Sequence, residues 1–235
     1  MLNTKSKDGV KMGNYFIWML PAMLLAMWAQ YRVKSAFEAG QKIPASSGLT
    51  GAQTAQAILD ANGITGVKIE QIPGSLSDHY DSGAKVLRLS PEVYDGRSLA
   101  SLGVAAHEVG HAIQDAKRYS PLVLRNGIVP LAGFGSKFSM FAIMIGAGLQ
   151  SVGLIMLGIA LFSLTVIFQL VNLPVEFDAS SRARKSLVSQ GLISNEENRT
   201  VGKVLNAAAL TYVAATISSV VTLLYYLNRY AGNRR

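Results

Sequence analysis

The chain contains no cysteine. Disulfides, thiolate metal ligands and thiol nucleophiles are therefore excluded, and any transition metal must be held by histidine and carboxylate. Histidine is scarce too, with 3 in 235 residues. Charged residues make up only 15% of the chain against 50% hydrophobic residues, and mean hydropathy is +0.28, on the apolar side for a soluble enzyme. Acidic residues (14) are outnumbered by Lys and Arg (22), which leaves a net charge of +8. The basic residues are not gathered on one motif or face, as nucleic-acid binding would need. Several flank apolar runs instead, so anionic lipid is the expected partner and nucleic acid is not. No internal repeat or low-complexity tract is present.

What the chain does have is long apolar runs. Asn14 to Gln30 follows Lys5, Lys7 and Lys11 and carries Trp18 and Trp28 near its two ends. Met27-Trp28-Ala29 puts bulky residues where signal-peptide cleavage needs small ones, so residues 14–30 are expected to be an uncleaved transmembrane anchor. Residues 31–121 have the composition of a small α+β unit. Thr50 and Gln53 form a capping-box pattern that Gly63 closes, predicting a helix over 50–62. Val67 to Ile72 and Lys85 to Ser90 are expected strands between turn residues. Pro91 and Gly96 then punctuate the chain before a helix expected from near Ser98. Residues 122–171 are expected to form a transmembrane hairpin of two spans, 122–147 and 151–171, joined through Gly146 to Gln150. The second span has no charge and the ~20 residues needed to cross the hydrocarbon core. The first carries Lys137, which must face protein or snorkel. A polar segment, 172–206, precedes a last span, 207–227, trailed by Arg229, Arg234 and Arg235.

The sharpest pattern is His107-Glu108-Val109-Gly110-His111. On a helix the two histidines lie one turn apart on one face, so two imidazoles can bind one Zn²⁺ while Glu108 reaches the metal's water as a general base. The plain alternative is a surface helix with two ordinary histidines. Against it, two of the chain's three His fall in the motif, and the flanks Leu99, Leu102, Val104, Ala105, Ala106, Val109, Ala112 and Ile113 predict a helix buried on most sides. A buried His-Glu-His cluster without a metal or other partners would be costly.

Catalytic zinc needs a third protein ligand and an open position. Beyond the motif only His79 remains, so carboxylates are the main candidates. Glu176 lies 65 residues after His111, with two expected spans between them, and two spans return a chain to the side it left. Glu176 is therefore the favoured third ligand. Asp178 is expected to orient a ligand histidine, with Asp178 as the ligand in the alternative assignment. The bland alternative is that both acids begin an exposed amphipathic helix.

Four strings, Ser77-Asp78-His79-Tyr80-Asp81, Lys85 to Ser90, Val104 to Gln114 and Leu173 to Ala183, resemble the YugP-like membrane-bound neutral zinc metallopeptidases of bacteria. The resemblance covers the chain from about Tyr31 to the last span. More distantly, His107, Glu108, His111 and Glu176-Phe177-Asp178-Ala179 resemble the membrane gluzincins of the HtpX and CAAX-processing types. Those carry Asp where this chain has Ser180, which moves the ligand-orienting role towards Asp178. The resemblance implies peptide-bond hydrolysis; the His spacing and the returned carboxylate lead to the expectation of one Zn²⁺ per chain. Together these features predict an α+β zincin-like catalytic unit joined to a helical transmembrane bundle of about four spans.

His79 and Tyr80 sit in a polar stretch between the two expected strands. Either this is a turn whose Asp residues bond local amides, or His79 or Tyr80 donates to the oxyanion of the tetrahedral intermediate. Asp115 could support the site from the motif helix or be a solvated helix-end charge. Lys85 to Ser90 is expected to be an edge strand that templates an extended substrate. The expected substrates are proteins or peptides near the bilayer; a homo-oligomer is left open and the regulatory partner is unknown. The rival functions are a catalytically silent membrane scaffold with a structural zinc, against which Glu108 argues, and a metal transporter, whose ligands would lie within the spans. Counting Lys and Arg near span ends favours a bacterial inner-membrane protein with its catalytic face in the cytoplasm.

Overall fold

The computed structural model describes residues 7–230, with side chains from residue 17 onward. Lys5, Arg234 and Arg235 lie outside the described residues, as do the side chains of Lys7 and Lys11. The elements are α1 (Lys7–Gln41), α2 (Gly51–Ala61), β1 (Lys68–Gln71), β2 (His79–Asp81), β3 (Val86–Leu89), α3 (Pro91–Tyr94), α4 (Leu99–Ala116), α5 (Ser120–Gly148), α6 (Val152–Ser189) and α7 (Glu197–Tyr230). They form two compact units. One comprises Gln30–Leu124 with Asn172–Leu210; the other comprises the chain to Ala29, Arg125–Val171 and the chain from Thr211.

The first unit carries the small sheet. Thr50 caps α2 by accepting from the Gln53 amide, and the Gln53 side chain accepts from the Thr50 amide, completing the predicted capping box. Gly63 follows at φ 64°, where a left-handed residue ends a helix. The strand order is β1-β3-β2, with β3 parallel to β1 and antiparallel to β2. This corrects the expected role of Lys85 to Ser90. β3 is the central strand, paired on both sides, and has no edge to offer a substrate. The cause is β2, a three-residue strand whose polar composition reads as a turn. Its partners are His79 with Arg88, Tyr80 with Leu87 and Asp81 with Val86. The turn chemistry belongs to Asp81 alone, which accepts from the amides of Gly83 and Ala84.

Helix α4 runs through the core of this unit. Ser98 caps it by accepting from the Ser101 amide at 3.1 Å. Leu99, Leu102, Ala105, Ala106, Val109, Ala112 and Ile113 are all buried, so the helix is enclosed on nearly every side. Gly110 lets α6 approach: a Cβ there would sit 2.5 Å from the Ala179 carbonyl oxygen. The backbones of α4 and α6 touch at this point.

Helices α1, α6 and α7 run past the polarity changes at which the sequence suggests boundaries. α6 continues through residue 171 to Ser189, and α7 begins at Glu197. A backbone ladder of i→i−4 bonds does not stop where side chains turn polar. Most of the expected 172–206 segment is therefore helical.

In the second unit, a small apolar cluster forms around Ile143, Ile155, Ile159, Tyr225 and Tyr226. Gly135, Gly146 and Gly158 bring α5 and α6 close; a Cβ at Gly135 would lie 2.4 Å from the Leu161 carbonyl. Close approach over small residues is how helices pack where the surroundings are apolar. Phe134, Phe138, Phe141, Met144, Ile145, Leu157, Ile167 and Leu170 point outward. Three helices, α5, α6 and α7, are long and apolar enough to cross a membrane. The expected count of about four is thus three among the described residues. The expected anchor at 14–30 lies in α1, and its first residues, 14–16, are outside those whose side chains are described. Lys137 is exposed, so of its two expected fates, facing protein or snorkelling, it does not have the first.

Candidate metal centre

Adjacent turns of α4 present His107 and His111 with ring centroids 4.8 Å apart and planes at 84°. Glu176 enters from α6, two residues after Pro174. Its Oε2 lies 3.4 Å from His107 Nε2 and 3.7 Å from His111 Nε2. One donor atom from each of the three falls within 4.8 Å of the others. Tetrahedral zinc, with bonds of about 2.0–2.1 Å, spaces its donor atoms about 3.3–3.4 Å apart. The donor set fits zinc in type as well, two imidazoles and a carboxylate being a familiar catalytic combination. Glu176 is buried, so its charge needs a cation or proton between it and the imidazoles. Burial pulls the His111 pKa down, but Glu176, Glu108 and Gln114 outweigh it and hold it above the ordinary value.

A second layer fixes the rings. Gln114, fully buried, donates from Nε2 to the Val175 carbonyl and to Asp178 Oδ2, each at 2.8 Å. With both amide hydrogens committed to acceptors, Gln114 Oε1 must be the atom facing His111 Nδ1, 3.0 Å away. With Nδ1 carrying a proton, His111 Nε2 is the nitrogen left to bind a metal ion held between it and Glu176. His107 Nδ1 lies 3.1 Å from Ser180 Oγ in the same way. Backing of a ligand histidine through its far nitrogen sets tautomer and orientation together.

Asp178 is therefore not bonded to a ligand histidine. It acts through Gln114, and its Oδ2 also accepts from Arg182 Nε. Gln114 and Ser180 are the residues that sequence reasoning missed. The available signals were spacing: Gln114 is one helical turn beyond His111 in an apolar helix, and Ser180 is one turn beyond Glu176.

Glu108 is buried and close enough to act electrostatically on both His111 and Asp78. Burial, opposed by bonds from Ser90 and reinforced by Glu108, raises the Asp78 pKa. His79 and Tyr80 fall on opposite faces of β2, as a two-residue repeat requires. His79 is exposed and lies 3.4 Å from Arg88 Nη1. Tyr80 donates to Asp115 Oδ2 at 2.7 Å, and burial and Asp115 raise its pKa. Asp115 also takes Lys85, so it ties the sheet to the end of α4 rather than standing as a solvated charge.

Residues 15–231 match the family described as "Putative neutral zinc metallopeptidase". The chain belongs to this family. Among curated relatives it is 50% identical over 220 residues to the "Putative membrane protease YugP" of Bacillus subtilis (strain 168), a match covering 93% of this chain and 98% of that protein. No solved structure gives a significant match. The name of that relative, a "Putative membrane protease", and three apolar helices of crossing length in this chain agree with the membrane character expected from composition.

Proposed function

We propose that this chain is a membrane-embedded zinc endopeptidase holding one Zn²⁺ through His107, His111 and Glu176. What carries the proposal is the convergence of three donor atoms in a buried pocket beside Glu108. When bound, zinc supplies Lewis acidity and lowers the pKa of its water to about 7. Gln114 and Ser180 hold the imidazoles in the orientation that faces Glu176. Glu108 takes a proton from the attacking water and returns it to the leaving amine. Of the two sequence-suggested helpers, Tyr80 lies on the β2 face towards α4 and is the better oxyanion donor once it releases Asp115. His79, on the other face, pairs with Arg88.

With β3 enclosed, the unpaired edge of β2 is the natural template for an extended substrate. Substrates are proteins or peptides near the bilayer, since the chain's own apolar helices hold it there. Lys and Arg near span ends, including Arg32, Lys34, Lys117, Arg118, Arg182, Arg184 and Lys185, favour a cytoplasmic catalytic face in the cell membrane of a bacterium. With α1 counted as an anchor, the spans number four.

The test uses purified full chain, wild type and Glu108→Gln, assayed for zinc content and for cleavage of a casein-type substrate. Zinc retained with hydrolysis lowered by ~10²–10⁴-fold is the expected result, the range a positioned general base contributes. Equal cleavage by both proteins would exclude Glu108 as the base. Zinc without cleavage in either would favour a structural site.

A further inference from the structure

A cavity of about 540 Å³ lies between the C-terminal part of α6 and the start of α7. Arg184 and Lys185 line it beside Ser180, Asn198 and Asn206, with Phe177 at the apolar side, and no carboxylate is among its described lining residues. Arg182, two residues before Arg184 on the same helix, pairs with Asp178. Arg184 instead bonds a neutral group, donating from Nε to Asn198 Oδ1 at 2.9 Å. Its guanidinium lies flat against Gly202, where a Cβ would come within 3.0 Å of Cζ. Among the described residues no ion pair of Arg184 with a carboxylate is seen, and its guanidinium is held by Asn198 and packed on Gly202.

A second cavity of about 570 Å³ shares Asn206 and is lined by Arg32 and Lys203, again with no carboxylate among the described lining. Both cavities occur where composition changes. Residues 152–175 of α6 carry no charge, nor do residues 207–227 of α7; on α6 the basic lining follows more than two turns after that stretch, beyond Glu176 and Asp178, and on α7 Lys203 lies one turn before its stretch. The first cavity adjoins the proposed metal site through Ser180, whose Oγ lies 3.1 Å from His107 Nδ1, and through Phe177, next in the chain to Glu176. The donor atoms face one another at the Nε2 side, so an occupant here sits behind the ligand ring, away from the position of a scissile bond.

We propose that this cavity is a binding site for the phosphodiester headgroup of an anionic phospholipid. Arg184 and Lys185 hold the phosphate, the Ser and Asn side chains hold headgroup hydroxyls, and Phe177 meets the start of the acyl chains. Cations at the end of an apolar helix stretch are the features that select anionic headgroups at a membrane surface. The proposal does not depend on peptidase activity.

The experiment measures thermal unfolding and lipid adducts by native mass spectrometry, using full chain in neutral detergent. Dioleoyl phosphatidylglycerol, dioleoyl phosphatidylcholine and inorganic phosphate are added separately. Phosphatidylglycerol should raise the unfolding temperature and remain as an adduct, while the other two do neither. Arg184→Gln with Lys185→Gln should weaken phosphatidylglycerol binding about thirtyfold, at about fivefold per basic residue. Should the double variant fail to fold, the exposed Lys185→Glu alone should lower affinity by at least the single-residue factor. Equal responses to phosphatidylcholine, an equal response to inorganic phosphate, or undiminished phosphatidylglycerol binding by the folded variants would each overturn the proposal.

Discussion

Gln114 shows how much can rest on one side chain. It joins His111 on α4 to Asp178 and the Val175 carbonyl on α6, so it fixes both the tautomer of one proposed ligand and the approach of the helix that carries another. Gln114→Ala should lower zinc affinity by about 10–100-fold, the usual effect of removing a partner behind a ligand, measured by competition with a chromophoric chelator. Unchanged affinity would mean that α4 alone orients His111. Tyr80 and His79 separate by the same logic: Tyr80→Phe should depress kcat at constant KM, while His79→Ala leaves both unchanged. Glu197 gives a pH test. Burial pushes its carboxyl up, but bonds from Ser194 and Ser46 prevail and hold it below the ordinary value of 4.5. A carboxyl lowered on folding adds stability above its unfolded pKa and loses it as pH falls through its folded value. Glu197→Gln should therefore be less stable than wild type at pH 7, with the difference vanishing in acid, as followed by thermal unfolding from neutral pH downward.

At the scale of elements, the site is made by the contact of α4 with α6. Gly110 is where they touch, a Cβ meeting the Ala179 carbonyl at 2.5 Å. Gly110→Leu should force the helices apart, costing about 1–3 kcal/mol as overpacking does, and should release zinc because His111 and Glu176 separate. Zinc content and unfolding temperature read on the same sample test this. Asp115 performs the corresponding task for the sheet by holding Tyr80 and Lys85 to the end of α4. The helices with local signals were legible: Thr50 and Ser98, read as the starts of helices, cap α2 and α4. β2 was not, because three polar residues carry no period-two pattern, and only pairing with β3 makes them a strand. That pairing removed the edge from Lys85–Ser90.

Across the whole molecule, the site constrains the path of the chain. His111 and Glu176 share a cluster, so the chain between them must cross the membrane an even number of times. α5 and α6 supply two helices of crossing length there. Reporter fusions at Gln150 and Gln190 should therefore give signals from opposite faces. Same-face signals would mean that α5 does not cross, and the site would then form without a hairpin. The exposed Lys137 is the point of greatest cost in that crossing, at about 2.5–3.5 kcal/mol for a central cation on insertion scales. Snorkelling is its route to a smaller penalty.

The sequence by itself determined which side chains were available for chemistry. The absence of cysteine limited the ligands of any transition metal to histidine and carboxylate, the four-residue spacing of His107 and His111 set two candidates on one helix face, and the apolar runs marked helices long enough to cross a membrane. These are local or compositional facts, readable without knowing what packs on what. Tertiary structure alone decided which polar atoms stand behind the ligands, giving Gln114 and Ser180 places that sequence reasoning had assigned to Asp178, and decided which strand is central. Both depend on contacts between residues far apart in the chain. Such contacts are set by how helices and strands pack, and no periodicity in one segment records its neighbour.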